Sequence, residues 1–170
     1  TQGYIGKLAY RADVAARLKA LLDYPRVGLP KKRGEWIFYS KNTGLQNQSV
    51  LYKQRGDAAP AALLDPNVMS KDGTISISAL AYSQDGKLAG YGLSQSGSDW
   101  QRLHVRDVAT GKDRKDVLER CRFTDIAWAP DGSGFYYSKY PAVGSVPKDQ
   151  EEFWQKLYFH KLGEPQAKDR

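Results

Sequence analysis

The fold is decided by a stretch of sequence that occurs twice in the chain. Residues 81–92 are A-Y-S-Q-D-G-K-L-A-G-Y-G, and residues 127–138 are A-W-A-P-D-G-S-G-F-Y-Y-S. The matching positions keep a constant offset of 46 residues, and they are Ala81 and Ala127, Tyr82 and Trp128, Asp85-Gly86 and Asp131-Gly132, and Tyr91 and Tyr137. A weaker copy, R-G-E-W-I-F-Y, lies at residues 33–39, and its matching positions, such as Gly34 and Gly86, are 52 residues apart. A period of about 40–50 residues built from short strands is typical of propeller blades.

Each copy predicts a β-hairpin with a tight Asp-Gly turn. In A-P-D-G, Pro130 presets φ for the second turn position, and Gly132 can adopt the left-handed conformation that follows it. A second landmark, Leu51-Tyr52, returns as Leu103-His104 and as Leu157-Tyr158. This landmark adds a third strand to each unit, so we expect three units that begin near residues 33, 77 and 123.

Other segments complete the secondary-structure prediction. Short apolar runs predict strands at residues 36–39, 49–52, 74–78, 88–93, 103–105, 135–140 and 157–160. Residues 11–22 predict one helix, which Pro25 stops, and its apolar stripe at helical spacing consists of Val14, Leu18, Leu21 and Leu22. We therefore predict a mainly β protein that is an incomplete, roughly three-blade segment of a propeller. One N-terminal helix and its lead-in occupy residues 1–30, and the first blades occupy residues 31–170.

Composition excludes several classes of protein. The chain has 170 residues, and 41% of them are hydrophobic, which is enough for a packed core. Its single cysteine, Cys121, excludes an internal disulfide and a cysteine-based zinc site, and we expect no metal and no cofactor. No apolar run approaches the roughly 20 residues of a membrane span, so we expect no membrane partner. We expect the protein to be located in the cytoplasm, although a single cysteine is also compatible with the periplasm.

Positive charge is concentrated in the first third of the chain. The formal net charge is +7, and residues 1–56 hold 11 Lys and Arg against 3 Asp and Glu, with Lys31-Lys32-Arg33 at the centre. A nucleic-acid binder pairs such a patch with a reading helix, an aromatic RNA-binding strand or a zinc finger, and the sequence has none of these motifs. We therefore expect no nucleic-acid partner. An alternative function is a non-enzymatic β-repeat module that uses this basic face to bind an acidic partner.

Motifs for catalysis are weak. The nearest match to a nucleophile elbow, Gly92-Leu93-Ser94-Gln95-Ser96, lacks the final glycine and a following helix. Cys121 lies between two arginines, which could lower its thiol pKa, but a lone cysteine in a strand is more often a small buried apolar residue. His104 and His160 each fall inside a predicted strand, where ordinary structural roles are expected. The residues by themselves therefore indicate no catalytic group.

Two residues in loops are candidates for binding. Asp99 lies in the small-residue loop S-Q-S-G-S-D-W at residues 94–100, where a side chain that caps a turn is the ordinary expectation. Phe123 starts the third repeat, where a core aromatic is the ordinary expectation.

An ordered set of motifs resembles the propeller domain of the prolyl oligopeptidase family. The motifs are D-Y-P (23–25), N-T-G-L-Q-N-Q-S-V-L-Y (42–52), L-D-P-N (64–67), Y-G-L-S-Q-S-G-S-D-W (91–100), D-V-L-E-R (116–120), F-T-D-I-A-W-A-P-D-G-S-G-F-Y-Y (123–137) and Q-K-L-Y-F-H (155–160). The resemblance covers about residues 20–162. It implies a seven-bladed propeller that covers an α/β-hydrolase domain, in a serine peptidase that cleaves short peptides after proline.

The resemblance also implies roles for the two loop residues. Phe123 aligns with an aromatic residue that lines the outer substrate subsite, and Asp99 aligns with an acidic residue that faces a substrate-binding arginine of the hydrolase domain. The expected partners are short proline-containing peptides and the α/β-hydrolase domain of the same parent chain, which we expect to be monomeric. The chain itself lacks the residues of the triad, so its expected work is to gate access and to form part of the cavity wall.

Overall fold

Strands make up most of the regular secondary structure in a computed structural model that describes residues 1–70 and 72–170. Two helices come first, α1 (Gln2–Ile5) and α2 (Arg11–Leu22). The strands are β1 (Arg26–Val27), β2 (Lys31–Arg33), β3 (Trp36–Asn42), β4 (Val50–Arg55), β5 (Ala61–Leu64), β6 (Ile75–Tyr82), β7 (Leu88–Gln95), β8 (Trp100–Asp107), β9 (Asp113–Arg122), β10 (Ala127–Trp128), β11 (Gly134–Lys139) and β12 (Lys156–Lys161). Short 3₁₀ turns lie at Pro66–Val68, Lys148–Gln150 and Gln166–Lys168.

The strands form three antiparallel sheets, which are the three predicted blades. Blade 1 has the order β1-β3-β4-β5, and β2 also pairs with β3. Blade 2 is the meander β6-β7-β8-β9, and blade 3 is β10-β11-β12. The mainly β fold class and the repeat are confirmed, because the recurring Leu-Tyr/His landmark falls on the third strand of each blade. Strand β1 lies within residues 1–30 and pairs with β3, so blade 1 includes residues before position 31. The domain boundary at residue 31 stays a prediction.

Several elements were not predicted. Strand β9 is the longest in the chain, and its sequence D-R-K-D-V-L-E-R-C-R is rich in charge because one of its faces is exposed. Strand β5, A-A-L-L, is too short to show a period, and helix α1 has only four residues. Helix α2 is confirmed at residues 11–22, but its apolar stripe is about half exposed and contains no buried residue. Within the described residues, no helix is long and apolar enough to cross a membrane.

The Asp-Gly turns form as predicted. The amide of Gly86 donates to the carbonyl of Ser83 (3.0 Å), and the amide of Gly132 donates to the carbonyl of Ala129 (3.0 Å). The two glycines have φ values of 72° and 71°. A side chain would strain this left-handed conformation, which explains why glycine recurs at this position.

Each junction between neighbouring blades contains one apolar cluster. Between blades 1 and 2 the buried residues are Phe38, Leu51, Leu63, Leu64, Ala89, Tyr91 and Val108. Between blades 2 and 3 they are Leu103, Val105, Leu118, Cys121, Ile126, Phe135 and Tyr137. Burial of these side chains holds the blades face to face, since each fully buried large apolar side chain contributes about 1.5–3 kcal/mol.

Blade 2 carries a polar network next to its apolar cluster. The Tyr91 hydroxyl donates to Asp113 (2.8 Å), and Arg106 Nε donates to the same carboxylate (2.7 Å). Arg106 also reaches the carbonyl of Leu63 in blade 1 (2.6 Å). The network therefore ties blade 2 to blade 1.

Blade 3 repeats this network with a histidine in place of the arginine. The Tyr137 hydroxyl donates to Asp169 (2.6 Å), and the ring of His160 lies 2.9 Å from Asp169 Oδ1 and 3.2 Å from Asp116 Oδ1 of blade 2. His160 is completely buried. The amide of Gly163 also donates to Asp116, and Arg114 lies 3.3 Å from the other oxygen of that carboxylate.

The connections between strands lie at two opposite ends of blades 2 and 3, because every sheet is antiparallel. The turn end consists of residues 83–87, 108–112 and 129–133. The loop end consists of residues 96–99, 123–126 and the long loop at residues 140–155. The sequence-predicted site residues Asp99 and Phe123 both lie at the loop end.

Candidate functional site

The loop end brings Asp99 and Phe123 to the same cavity. This cavity has a volume of about 350 Å³, and its lining residues are Ser78, Ser98, Asp99, Gln101, Phe123, Thr124 and Asp125. Asp99 comes from the connection between β7 and β8, and Phe123 comes from the connection between β9 and β10. The antiparallel register explains their proximity, because Trp100, next to Asp99, pairs directly with Arg122, next to Phe123.

Phe123 is not a core aromatic residue. Its side chain is 68% exposed, and its backbone has φ of +48°. A non-glycine residue in the left-handed region costs roughly 1–2 kcal/mol, and such strain is concentrated at binding and catalytic sites. The ordinary expectation for this position is therefore wrong, and the aromatic ring is held open to solvent at the edge of the cavity.

Asp99 is held by an arginine of the neighbouring strand. Arg122 Nη2 donates to Asp99 Oδ2 (3.2 Å), and Arg122 Nη1 donates to Glu152 Oε2 in the long loop (2.8 Å). About half of the Asp99 side chain is exposed. The carboxylate thus orients a guanidinium of its own chain and still presents oxygen to the cavity.

The same guanidinium lies against two aromatic rings. Its central carbon is 4.8 Å from the ring centroid of Phe123 and 5.6 Å from that of Trp100. The hydrogen bond to Glu152 raises the pKa of Arg122, and together with the charge of Glu152 and the bond to Asp99 it outweighs the opposing effect of desolvation. The cluster is therefore a permanent cation between two carboxylates and two aromatic faces.

A second arginine anchors the long loop beside this cluster. Arg120 lies over the ring of Trp100 (4.4 Å), and it donates to the carbonyls of Pro141 (2.8 Å) and Glu151 (2.8 Å). Gln155 at the far end of the loop donates to the carbonyl of Arg122 (2.7 Å). Both ends of the long loop are therefore bound to the end of β9.

The remaining sequence candidates have structural roles. Ser94 is buried, and its hydroxyl donates to the carbonyl of Ser98, which closes the loop. Cys121 is completely buried, and this burial raises its thiol pKa to about 12, so the neighbouring arginines do not activate it. His104 stacks on Tyr91 (5.4 Å), and burial lowers its pKa. His160 belongs to the network between the blades.

The sequence reasoning missed Arg122 and Glu152 as members of the site. A signal for Arg122 was present, because side chains alternate along a strand and the residue that follows a buried Cys121 points to the opposite face. Glu152 lies 30 residues further along in an irregular loop, and no spacing rule connects the two.

The groups at this site are suited to binding. The exposed ring of Phe123 offers an apolar surface to a ligand side chain, and the carboxylate of Asp99 accepts hydrogen bonds from cationic donors. In the described part of the chain, no group of three or more His, Cys, Asp or Glu residues is placed to hold a metal ion.

The whole chain matches one protein family. The model of the prolyl oligopeptidase N-terminal β-propeller domain matches residues 1–170. The chain belongs to the prolyl oligopeptidase family. The resemblance found in the sequence motifs is therefore confirmed, and the three sheets are blades of the propeller domain of that family.

Several relatives support this assignment. A prolyl endopeptidase of Elizabethkingia meningoseptica is 36% identical over 171 residues, which cover 99% of this chain and 24% of the relative. Prolyl oligopeptidase A of Galerina marginata is 30% identical over 198 residues, which cover 99% of this chain and 27% of the relative. The chain thus spans about a quarter of the length of the prolyl oligopeptidases it matches.

Solved structures of the family have the same fold. One prolyl endopeptidase structure superposes with a TM-score of 0.92 at 33% identity, and the match covers 99% of this chain and 25% of the other. Prolyl oligopeptidase B from Galerina marginata, bound to a 25-residue macrocyclization substrate, superposes with a TM-score of 0.89 at 26% identity, over 99% of this chain and 26% of the other.

Proposed function

We propose that this chain works as part of the propeller of a serine endopeptidase that cleaves short peptides after proline. The observation that carries the proposal is the match of the entire chain to the propeller of the prolyl oligopeptidase family. The chemistry would be acyl-enzyme hydrolysis by a serine, histidine and aspartate of an α/β-hydrolase domain in the same parent chain. The propeller segment would contribute binding and access.

In this proposal the loop end forms part of the substrate cavity wall. Phe123 contacts the outer side chain of the peptide, and the support is its exposed ring beside a cavity of about 350 Å³. Asp99 orients an arginine of the hydrolase domain, and the support is its half-exposed carboxylate, which already binds one guanidinium. A carboxylate has two oxygens with about four lone-pair sites, so it can accept from a second guanidinium.

The propeller also keeps folded proteins out of the substrate cavity, so that only short peptides enter it. The support is the close packing of neighbouring blades, where the apolar clusters and the two polar networks leave the sheets joined face to face. A folded protein substrate cannot pass between sheets packed in this way, because the packing density of such an interior is that of an organic crystal.

Hydrolysis of a chromogenic Gly-Pro substrate tests the proposal. We expect turnover by the full-length protein and none by residues 1–170 alone. Replacement of the hydrolase-domain serine by alanine is the control, and it should abolish turnover. A correctly folded full-length protein that fails to hydrolyse the substrate would overturn the peptidase assignment.

The role of Asp99 is tested by Asp99→Asn in the full-length protein. We expect kcat/KM for the Gly-Pro substrate to fall about tenfold, since a hydrogen bond to a charged group contributes about 1.5–3 kcal/mol. Asp149→Asn makes the same change of charge at an exposed position of the long loop, and it should leave kcat/KM unchanged. Equal effects of the two substitutions would show that Asp99 acts only through net charge.

A further inference from the structure

Arg122 occupies the centre of the candidate site, although no motif points to it. It is the last residue of β9, and it pairs with Trp100 on β8. Its neighbour Cys121 is completely buried in the cluster between blades 2 and 3, so the arginine side chain lies on the opposite face of the strand. Only 22% of that side chain is exposed.

The contacts of Arg122 use the shape of the guanidinium as well as its charge. Two different nitrogens bind two different carboxylates, Asp99 and Glu152, while the central carbon of the guanidinium lies over the Phe123 ring, 4.8 Å from its centroid. A guanidinium is a rigid planar fork that can bind carboxylates in its plane and stack on a ring above it. The ammonium of lysine is a point charge on a flexible chain and cannot make the stacking contact in the same way.

One donor of Arg122 is left without a partner. Its Nε is buried and finds no acceptor among the residues that the structure describes. An unpaired buried donor destabilises a fold, and native proteins contain few of them. The side chain therefore keeps its position because of the two carboxylates and the rings, even though this position leaves Nε unsatisfied.

The Phe123 ring needs a partner to stay in place. The backbone at φ of +48° fixes the direction of the Cα–Cβ bond, but an exposed ring is still free to rotate about χ1 and χ2. The guanidinium covers one face of the ring and is itself anchored to the long loop through Glu152. The exposed remainder of the ring is left for a ligand.

We propose that Arg122 is a positioning residue that fixes the Phe123 ring and the Asp99 carboxylate relative to each other, and so determines selectivity for an apolar group at the outer subsite. This inference rests on the proposed function. It adds a residue that touches no substrate and acts through Phe123, which contacts the peptide, and through Asp99, which orients the arginine of the hydrolase domain.

The test compares two substrates in the full-length enzyme. Gly-Pro-p-nitroanilide with a free amino terminus ends before the outer subsite, and the benzyloxycarbonyl derivative of the same substrate places a ring there. The readout is the ratio of kcat/KM for the capped substrate to that for the uncapped one. A merely structural role would lower both values together and leave this ratio unchanged.

We expect Arg122→Ala to lower the ratio about fivefold, since a cation–π contact contributes about 1 kcal/mol. Arg122→Lys keeps a cation for the two carboxylates and should therefore fold, yet its ratio should be lowered nearly as far. The double variant with Phe123→Ala should have the same ratio as Phe123→Ala alone, because both substitutions remove the same contact. Arg102→Ala removes an exposed arginine that pairs with Glu119 on the adjacent strand, and it should keep the wild-type ratio.

The outcomes separate the two proposals. If Phe123→Ala leaves the ratio unchanged, the proposed role of Phe123 fails, and the role of Arg122 fails with it. If Phe123→Ala lowers the ratio but Arg122→Ala and Arg122→Lys do not, only the positioning role is overturned. Full rescue by Arg122→Lys, or additive effects in the double variant, would likewise contradict positioning through the planar guanidinium.

Discussion

The two ends of blades 2 and 3 differ in the residues that adopt a left-handed backbone. At the turn end those residues are the glycines Gly86, Gly111 and Gly132. At the loop end and the adjoining end of β9, Gly97 and Gly144 also adopt this backbone, but so do four residues that carry side chains, which are Ser96, Arg120, Phe123 and Trp154 at φ values of 53°, 60°, 48° and 64°. Strain of about 1–3 kcal/mol at each such position persists only when the surrounding structure imposes it.

The difference indicates a division of work. The turn end lies next to the polar networks between blades, which include Asp113, Asp116 and Asp169, and it follows ordinary turn chemistry. The loop end exposes aromatic rings and holds half-buried arginines beside them. Substitutions at the turn end should therefore change stability without changing selectivity, and substitutions at the loop end should do the reverse.

The largest effect is expected at the network between blades 2 and 3. His160→Ala leaves the side chains of Asp116 and Asp169 buried at 2% and 1% exposure with their partner removed. Each of these buried carboxylates loses one hydrogen-bond partner, which costs about 1–3 kcal/mol for a buried polar group and more for a charged one, so the apparent Tm of the full-length protein should fall steeply. Lys161→Ala, next in sequence, removes an exposed pair with Glu164 and should change Tm little. A Tm for His160→Ala close to that of this control would contradict the role of the network.

The repeat itself supplies the next test. Gly86 and Gly132 occupy equivalent turns with nearly identical φ, but a Cβ on Gly86 would lie 2.2 Å from the carbonyl oxygen of Arg33, whereas a Cβ on Gly132 meets open space. We expect Gly86→Ala to cost about 3 kcal/mol and Gly132→Ala only about 1 kcal/mol, the cost of the left-handed backbone. Thermal unfolding of the two variants measures the difference, and equal costs would show that contact with blade 1 does not matter.

The features that could be predicted from the sequence are mostly those of the turn end, and the features that could not be predicted are mostly those of the loop end. The hairpins, their glycine turns and helix α2 were predicted because local chemistry dictates them. Strand β9 was missed because its charged face hides its apolar period. The exposure of Phe123 and its pairing with Asp99 through Arg122 could not be predicted from local pattern, since they depend on register between strands and on a loop 30 residues away.

A smaller effect should separate stability from binding at the loop end itself. Phe123→Gly and Phe123→Ala both remove the ring, but only glycine adopts φ of +48° without strain. The glycine variant should be about 1 kcal/mol more stable than the alanine variant, measured by thermal unfolding, while both lose selectivity for the capped substrate. An alanine variant more stable than the glycine variant would show that the left-handed backbone relaxes when the ring is removed.

The smallest expected effect is on the pH dependence of stability, through the carboxylate of Asp116. Burial of Asp116 disfavours its charged form, but hydrogen bonds from the Gly163 amide and His160 outweigh burial and lower its pKa. A folded-state pKa below the unfolded value of about 3.9 contributes stability above that pH, and this contribution is lost as pH falls through the folded pKa. Asp116→Asn should therefore be less stable at neutral pH and lose less stability between about pH 5 and pH 3. An unchanged acid dependence of Tm would contradict this assignment.

Photo-crosslinking from the two ends tests most directly whether the loop end faces the substrate. A p-benzoylphenylalanine replaces Phe123 at the loop end or the exposed Ser133 at the turn end, in a full-length protein whose hydrolase-domain serine is alanine. On irradiation with a proline-containing peptide, we predict a crosslinked peptide from position 123 and none from position 133. Crosslinking from position 133 alone, or equally from both, would contradict the assignment of the loop end to the substrate cavity.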